Sequence, residues 1–320
     1  MILAGTLALA SRGRLSILIF HRVLPERDAL FPGEPTAREF DALLAHLKAR
    51  FSVLPLREAV DRLYGATLPR AALAVTFDDG YADNLALAAP LLRKHGVPAT
   101  LFVASGYLDG GLMWNDRVIA AFRSTSRTQL DLQAHGLGAF PTGSTADRRT
   151  GIERLLREIK HRPALERERL ASAVLDVSGV DPPKNLMLTS DGVRALQAHG
   201  VDVGAHTVTH PILARVTRDE AWREICEGKR ALESIVGRHV PLFAYPNGHP
   251  GDDYTPDHVR MVREAGFTAA VSTAWGAANR TSDRMQLPRF TPWTRKPLRF
   301  DLLMLRNLRH RPIQQEAATC

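Results

Sequence analysis

Residues 72–80 read ALAVTFDDG, and this stretch decides the architecture. Six residues that are apolar except for Thr76 are too few for a helix, and they end at Asp78, Asp79 and Gly80, a carboxylate pair on a glycine turn. A run without polar alternation is the pattern of a strand buried on both faces, as parallel strands are. Similar short runs lie on either side, at residues 15–20, 52–56, 99–104, 201–205, 241–245, 267–273 and 286–291.

Helical patterns fill most of the gaps. Thr36 and Glu39 form a capping box ahead of Phe40, Leu43, Leu44 and Leu47, and Thr217 with Glu220 does the same ahead of Trp222, Ile225, Leu232 and Ile235, with Gly237 as the stop. Residues 84–95, 190–199 and 256–265 read as further helices, each ending at a glycine, and a basic helix is expected at about 297–309. Strands alternating with helices predict a parallel sheet, and seven or eight strands in one chain suggest closure into an α/β barrel with functional groups at the strands' C-terminal ends. An open doubly wound sheet is the alternative. Residues 105–188 break the rhythm. They lack clear strands, carry a Gly, Ser and Thr-rich patch at 136–145 and a charged helical stretch at 146–175, and read as an insertion over the barrel mouth. The chain reads as one domain over 1–320, with its core at about 15–291.

Composition narrows the chemistry. In 320 residues of which 45% are apolar there are only two cysteines, Cys226 and Cys320, so neither a disulfide framework nor a cysteine zinc site is available. A net charge of +8 suits contact with anionic partners, but no nucleic-acid-binding signature accompanies it. No apolar run approaches the ~20 residues of a membrane span. The apolar start at residues 1–11 lacks the charged segment of an export signal, so the expectation is a cytoplasmic protein, with a weak peripheral contact to anionic membrane through the basic residues Arg295, Lys296, Arg299, Arg306, Arg309 and Arg311. The oligomeric state is not legible.

Three strand ends carry chemistry. Adjacent carboxylates at Asp78 and Asp79 repel unless a cation or a proton separates them, though Asp-Asp-Gly is also an ordinary turn. His206 and His210 follow the strand at 201–205. Histidines four apart on a helical turn face one side and can reach one ion at about 2.0–2.1 Å. Pro246 and Gly248 flank Asn247 after the strand at 241–245, which would fix a backbone N–H for a developing oxyanion.

These segments, TFDDG at 76–80, HTVTH at 206–210 and FAYPNG at 243–248, resemble in that order the motifs of the polysaccharide deacetylase family with the NodB homology domain. The likeness runs from about residue 15 to 290 and includes Phe20, His21 and Arg22 at the first strand end and Leu287, Pro288 and Arg289 near the last. It implies a deformed (β/α) barrel of seven or eight strands that hydrolyses N-acetyl groups of an N-acetylhexosamine glycan with a divalent metal, most often Zn2+. Carried over by position, Asp79, His206 and His210 would hold the metal, Asp78 would act as general base on water, and Asn247 would supply an oxyanion N–H. Arg289 is the candidate to orient Asp78. The chain departs from the family at Ala244 and Asn247, where arginine and tyrosine are common, and it lacks the late histidine motif that supplies the general acid. His21 and His249 are the candidates for that acid, and Trp114 and Trp275 for sugar stacking. A metal-dependent amidase on a small non-sugar amide and a non-catalytic glycan-binding barrel are the competing readings.

Overall fold

The computed structural model describes residue 7 and residues 9–291, 294, 296–310 and 314. Its strands are β1 (Ser16–Phe20), β2 (Ser52–Val53), β3 (Ala72–Phe77), β4 (Ala99–Val103), β5 (Gln129–Asp131), β6 (Ala139–Pro141), β7 (Val201–Ala205), β8 (Leu242–Ala244) and β9 (Ala269–Val271). Seven of these form one parallel sheet in the order β1-β3-β4-β7-β8-β9, with β2 also paired to β3. It is a curled sheet wrapped by helices, an α/β fold of the barrel type. Strands β1, β3 and β4 are buried along their whole length, as their largely apolar runs require.

Register is what gathers the site. Phe20 pairs with Phe77, Val103 with Ala205 and Ala244 with Val271, so β1, β3, β4, β7, β8 and β9 end along a single rim. The segments that leave that rim begin with His21, Asp78, Ala104, His206, Tyr245 and Ser272.

The expected strand at 286–291 is not one. Leu287 bridges Val271, and Phe290 bridges Leu18, but only as isolated pairs. Pro288 between them has no N–H to give to a ladder. The segment nevertheless links β9 to β1, the two edges of the sheet, and brings Arg289 inside. The expected helix at 84–95 is likewise split into a π-turn at Asn84–Ala88 and the α-helix Ala89–His95.

The insertion is richer in structure than its sequence suggests. Five helices matter below: α1 (Ala37–Arg50), α2 (Trp114–Ser124), α3 (Thr145–Lys160), α4 (Ala164–Ser178) and α5 (Arg218–Val236). The charged stretch at 146–175 is two helices, because Pro163 stands at the N-cap of the second. The hairpin β5–β6 lies between α2 and α3, and these elements pack with α4 on a core of their own that includes Val118, Phe122, Leu130, Leu155, Ile159 and Leu170. Gly151 permits that packing, since a Cβ there would overlap the Phe122 ring.

The C-terminal helix Pro297–Arg309 buries Phe300, Met304 and Leu308, and Arg14 donates to the Leu308 carbonyl at 2.7 Å. Its outer face leaves Leu298 and Leu302 exposed. Arg295 and Arg311, part of the expected basic patch, lie outside the described residues. Among the described residues no helix is long and apolar enough to cross a membrane.

Candidate active site

Asp78 and Asp79 follow β3 directly, and both are buried. A charged carboxylate at such a position needs partners. Asp78 has Arg289, itself 1% exposed, whose Nη1 and Nη2 donate to its two oxygens at 2.6 and 2.7 Å. The guanidinium is in turn fixed by Nε–H donating to the Ser272 carbonyl at 3.0 Å. Burial alone would raise the pKa of Asp78; the charges of Arg289 and then His206 outweigh it and hold the group below its ordinary value. It is therefore an anion presented in a fixed plane.

Asp79 faces the histidines. Its Oδ1 lies 3.5 Å from Nε2 of His206 and 3.5 Å from Nε2 of His210. The Nδ1 of His206 sits 2.8 Å from the Ala244 carbonyl, which can only accept, so that nitrogen carries the proton and Nε2 is the one presented to Asp79. Burial lowers the pKa of His206, but the carboxylates of Asp78 and Asp79 more than reverse this and the net direction is up. His210 goes the other way, down to about 4, through burial first and then the charge of His206. Two adjacent imidazoles cannot both be protonated in so small a space.

The same geometry fits a cation. One ligand atom from each of Asp79, His206 and His210 can be chosen so that all lie within 4.8 Å of one another. Ligands at about 2.0–2.2 Å from a tetrahedral ion stand roughly 3.3–3.5 Å apart, which is the spacing from Asp79 to each histidine, and two neutral imidazoles with one carboxylate are a zinc-type donor set.

The turn that brings the histidines together is not the helical one the four-residue spacing suggests. Thr207 and His210 both have positive φ, 65° and 52°, as do Asp79 at 75° and Asn247 at 57°. Four of the seven described non-glycine residues in this region of backbone space thus belong to the site, and strain concentrated there is held by the surroundings. Glu224 of α5 accepts from the N–H groups of Val208 and Thr209, each at 2.8 Å, and from the Thr209 hydroxyl at 2.7 Å. Gly228 lets α5 come this close, because a Cβ there would meet the Thr207 carbonyl at 2.8 Å.

A cavity of about 940 Å³ opens above these groups, lined by Asp78, Asp79, His206, His210, Asn247 and, from the end of β1, His21. Of the two histidines considered as acid, His21 faces this space. His249 is exposed, with its Nδ1 3.0 Å from a carboxylate oxygen of Asp252. The tryptophans considered for sugar stacking are elsewhere: Trp114 lies under the Arg167 guanidinium, and Trp275 packs between Phe290 and Arg306.

Sequence reasoning missed Asp116. It stands on α2 of the insertion, 4% exposed, with the Tyr81 hydroxyl donating to its oxygens at 3.2 and 3.3 Å, and it lines the cavity. Burial and then the charge of Asp79 push its pKa up to about 7. The available signal was an acid among the apolar residues of an amphipathic segment, Trp114, Val118, Ala121 and Phe122.

The fold and the site together define a hydrolase of the polysaccharide deacetylase type, and comparison with known proteins agrees. The polysaccharide deacetylase sequence profile matches residues 65–270, and the chain belongs to that family. A Bacillus subtilis (strain 168) protein named as a polysaccharide deacetylase, YxkH, is 20% identical over 278 residues, covering 86% of this chain and 70% of its own. Among solved structures, the Streptococcus pyogenes deacetylase PplD in complex with acetate is 18% identical with a TM-score of 0.58, over 87% of this chain and 92% of that one. IcaB from Ammonifex degensii is 21% identical with a TM-score of 0.57, over 90% and 97%. At these identities the structural likeness speaks for the fold.

Proposed function

We propose that the protein is a metal-dependent N-deacetylase that hydrolyses the acetamide of an N-acetylhexosamine unit in a glycan. The observation that carries this is the meeting of Asp79 with both His206 and His210 beside an Asp78 that Arg289 holds ionised. Asp79, His206 and His210 would hold the ion, zinc by the character of the donors. When bound, it supplies Lewis acidity toward the acetamide carbonyl and the attacking water.

The remaining roles belong to the chain's own groups. Asp78 takes the proton of water as its oxygen attacks the carbonyl carbon, and the N–H at Asn247 faces the negative charge that develops on the carbonyl oxygen. His21 gives a proton to the nitrogen as the C–N bond breaks. Acetate and a free amine leave. Ionised Asp78 is required, so activity falls when pH drops far enough to protonate it, a limb that Arg289 holds below the ordinary carboxylate range.

The test is acetate release from N-acetylglucosamine oligomers by the zinc-loaded protein. Chelation should abolish it and zinc should restore it. Asp78→Asn should lose about a thousandfold or more in kcat/KM with its metal content intact, whereas His206→Ala should lose the metal. Zinc-loaded protein with no acetate release from any N-acetylated sugar defeats the reading.

A further inference from the structure

The cavity above the rim is chemically two-sided. At its base stand the charged groups of the strand ends, while Ile119, Ala120, Leu156, Val180 and Leu186 of the insertion and Phe31 of the loop after β1 line it with hydrocarbon. Ile119, Leu156, Val180 and Phe31 are only partly buried although they pack against the insertion's own core. That core therefore stays uncovered on the side that faces the catalytic groups. Mostly apolar walls with a few placed polar groups are the usual make-up of a small-molecule site, and this apolar lining is continuous with the candidate active site.

We propose that the substrate is an N-acetylated amino sugar bearing a hydrocarbon aglycone, with the sugar at the strand ends and the hydrocarbon against the inserted wall. This rests on the deacetylase reading above and adds to it the class of substrate. Size agrees: a volume of about 940 Å³ is near the top of the ~300–1,000 Å³ range of small-molecule sites, ample for a sugar with an attached chain. The lining agrees as well. Neither Trp114 nor Trp275 lines this cavity, and two of the arginines near its outer edge are already engaged by carboxylates. Arg123 meets Asp28 at 2.5 Å, and Arg27 meets Glu39 at 2.8 Å. Hydrocarbon laid against such a wall is removed from water, whereas a hydroxylated chain there would lose hydrogen bonds to solvent.

The experiment compares zinc-loaded protein on the methyl and octyl β-glycosides of N-acetylglucosamine, below the micellar concentration of the latter, by acetate release. Octyl should exceed methyl at least about tenfold in kcat/KM, chiefly through KM. In Leu156→Ser and, separately, Ile119→Asn, the octyl-to-methyl ratio should fall toward one. Equal rates on the two glycosides, or a preference that survives in both variants, would overturn the assignment. So would faster hydrolysis of N-octanoylglucosamine than of either glycoside, since the hydrocarbon would then lie on the acyl side. Calorimetric titration with octyl glycoside separates the two levels of the argument. Chain-dependent binding without acetate release refutes the reaction but upholds the wall, while acetate release without chain-dependent binding does the opposite.

Discussion

The rim of the barrel and the inserted wall face each other across one cavity, yet they are built on different rules. At the rim, each buried carboxylate has a built partner: Asp78 the guanidinium of Arg289, Asp79 a pair of imidazoles. Left-handed backbone at Asp79, Thr207, His210 and Asn247 is held in place by neighbours such as Glu224. In the wall, apolar side chains pack on an ordinary helical core, and the one buried acid that faces the cavity, Asp116, has no cationic partner among its hydrogen bonds. The difference teaches a division of labour. On the proposed reading the rim fixes protonation states for the reaction, whereas the wall offers shape and hydrophobicity to the substrate.

If that division is right, variants on the two sides fail differently. The largest effect should come from Arg289→Ala. It strands a buried Asp78 without its counter-charge, at a cost of about 3–5 kcal/mol. Denaturant unfolding would measure this. Because Arg289 holds the pKa of Asp78 down, its removal lets that pKa rise, so the acidic limb of the pH–rate profile should move to higher pH. A profile that does not move would mean Arg289 has only a structural part.

Leu155→Ala tests the wall. Leu155 is fully buried in the insertion's core, and the truncation should cost about 2–5 kcal/mol. Zinc content should be unchanged, since the proposed ligands Asp79, His206 and His210 follow β3 and β7, outside the insertion. Loss of metal with the leucine would break the division drawn here.

Asp116→Asn sharpens it. A carboxyl whose pKa rises from 3.8 to about 7 on folding favours the fold when protonated. Its contribution is complete below pH 4 and is lost as pH rises through 7. Against wild type in the metal-free state, the asparagine variant should therefore gain stability with pH, by up to roughly 4 kcal/mol at pH 8. Parallel stability curves for the two proteins from pH 4 to 8 would show that Asp116 is not raised.

The smallest effect is expected from His249→Ala. Its side chain is exposed and paired only to Asp252, so kcat/KM should stay within about twofold. A hundredfold loss would return His249 to the candidates for the proton donor and weigh against His21.

Much of this was open to reading beforehand, for reasons that differ from residue to residue. The run ALAVTFDDG shows a buried strand and what stands at its end, because strand burial and turn chemistry are local. HTVTH could be read as a pair of imidazoles but not as a left-handed turn, since the conformation of Thr207 and His210 is imposed by Glu224 and the close approach of α5. Arg289 could be named as a partner for Asp78 by its type and its place at an expected strand end. That it lies inside depends on Leu287 and Phe290 bridging two strands across Pro288, a contact between segments far apart in the chain.

The amino-acid order thus determined which residue types stand at the strand ends, because period and glycine punctuation act over a few residues. Tertiary structure alone decided which of two histidines looks into the cavity, where the tryptophans went, and that Asp116 stands across from Asp79. Those outcomes depend on how the strands align and how an inserted core packs, and such forces join residues that share no local pattern.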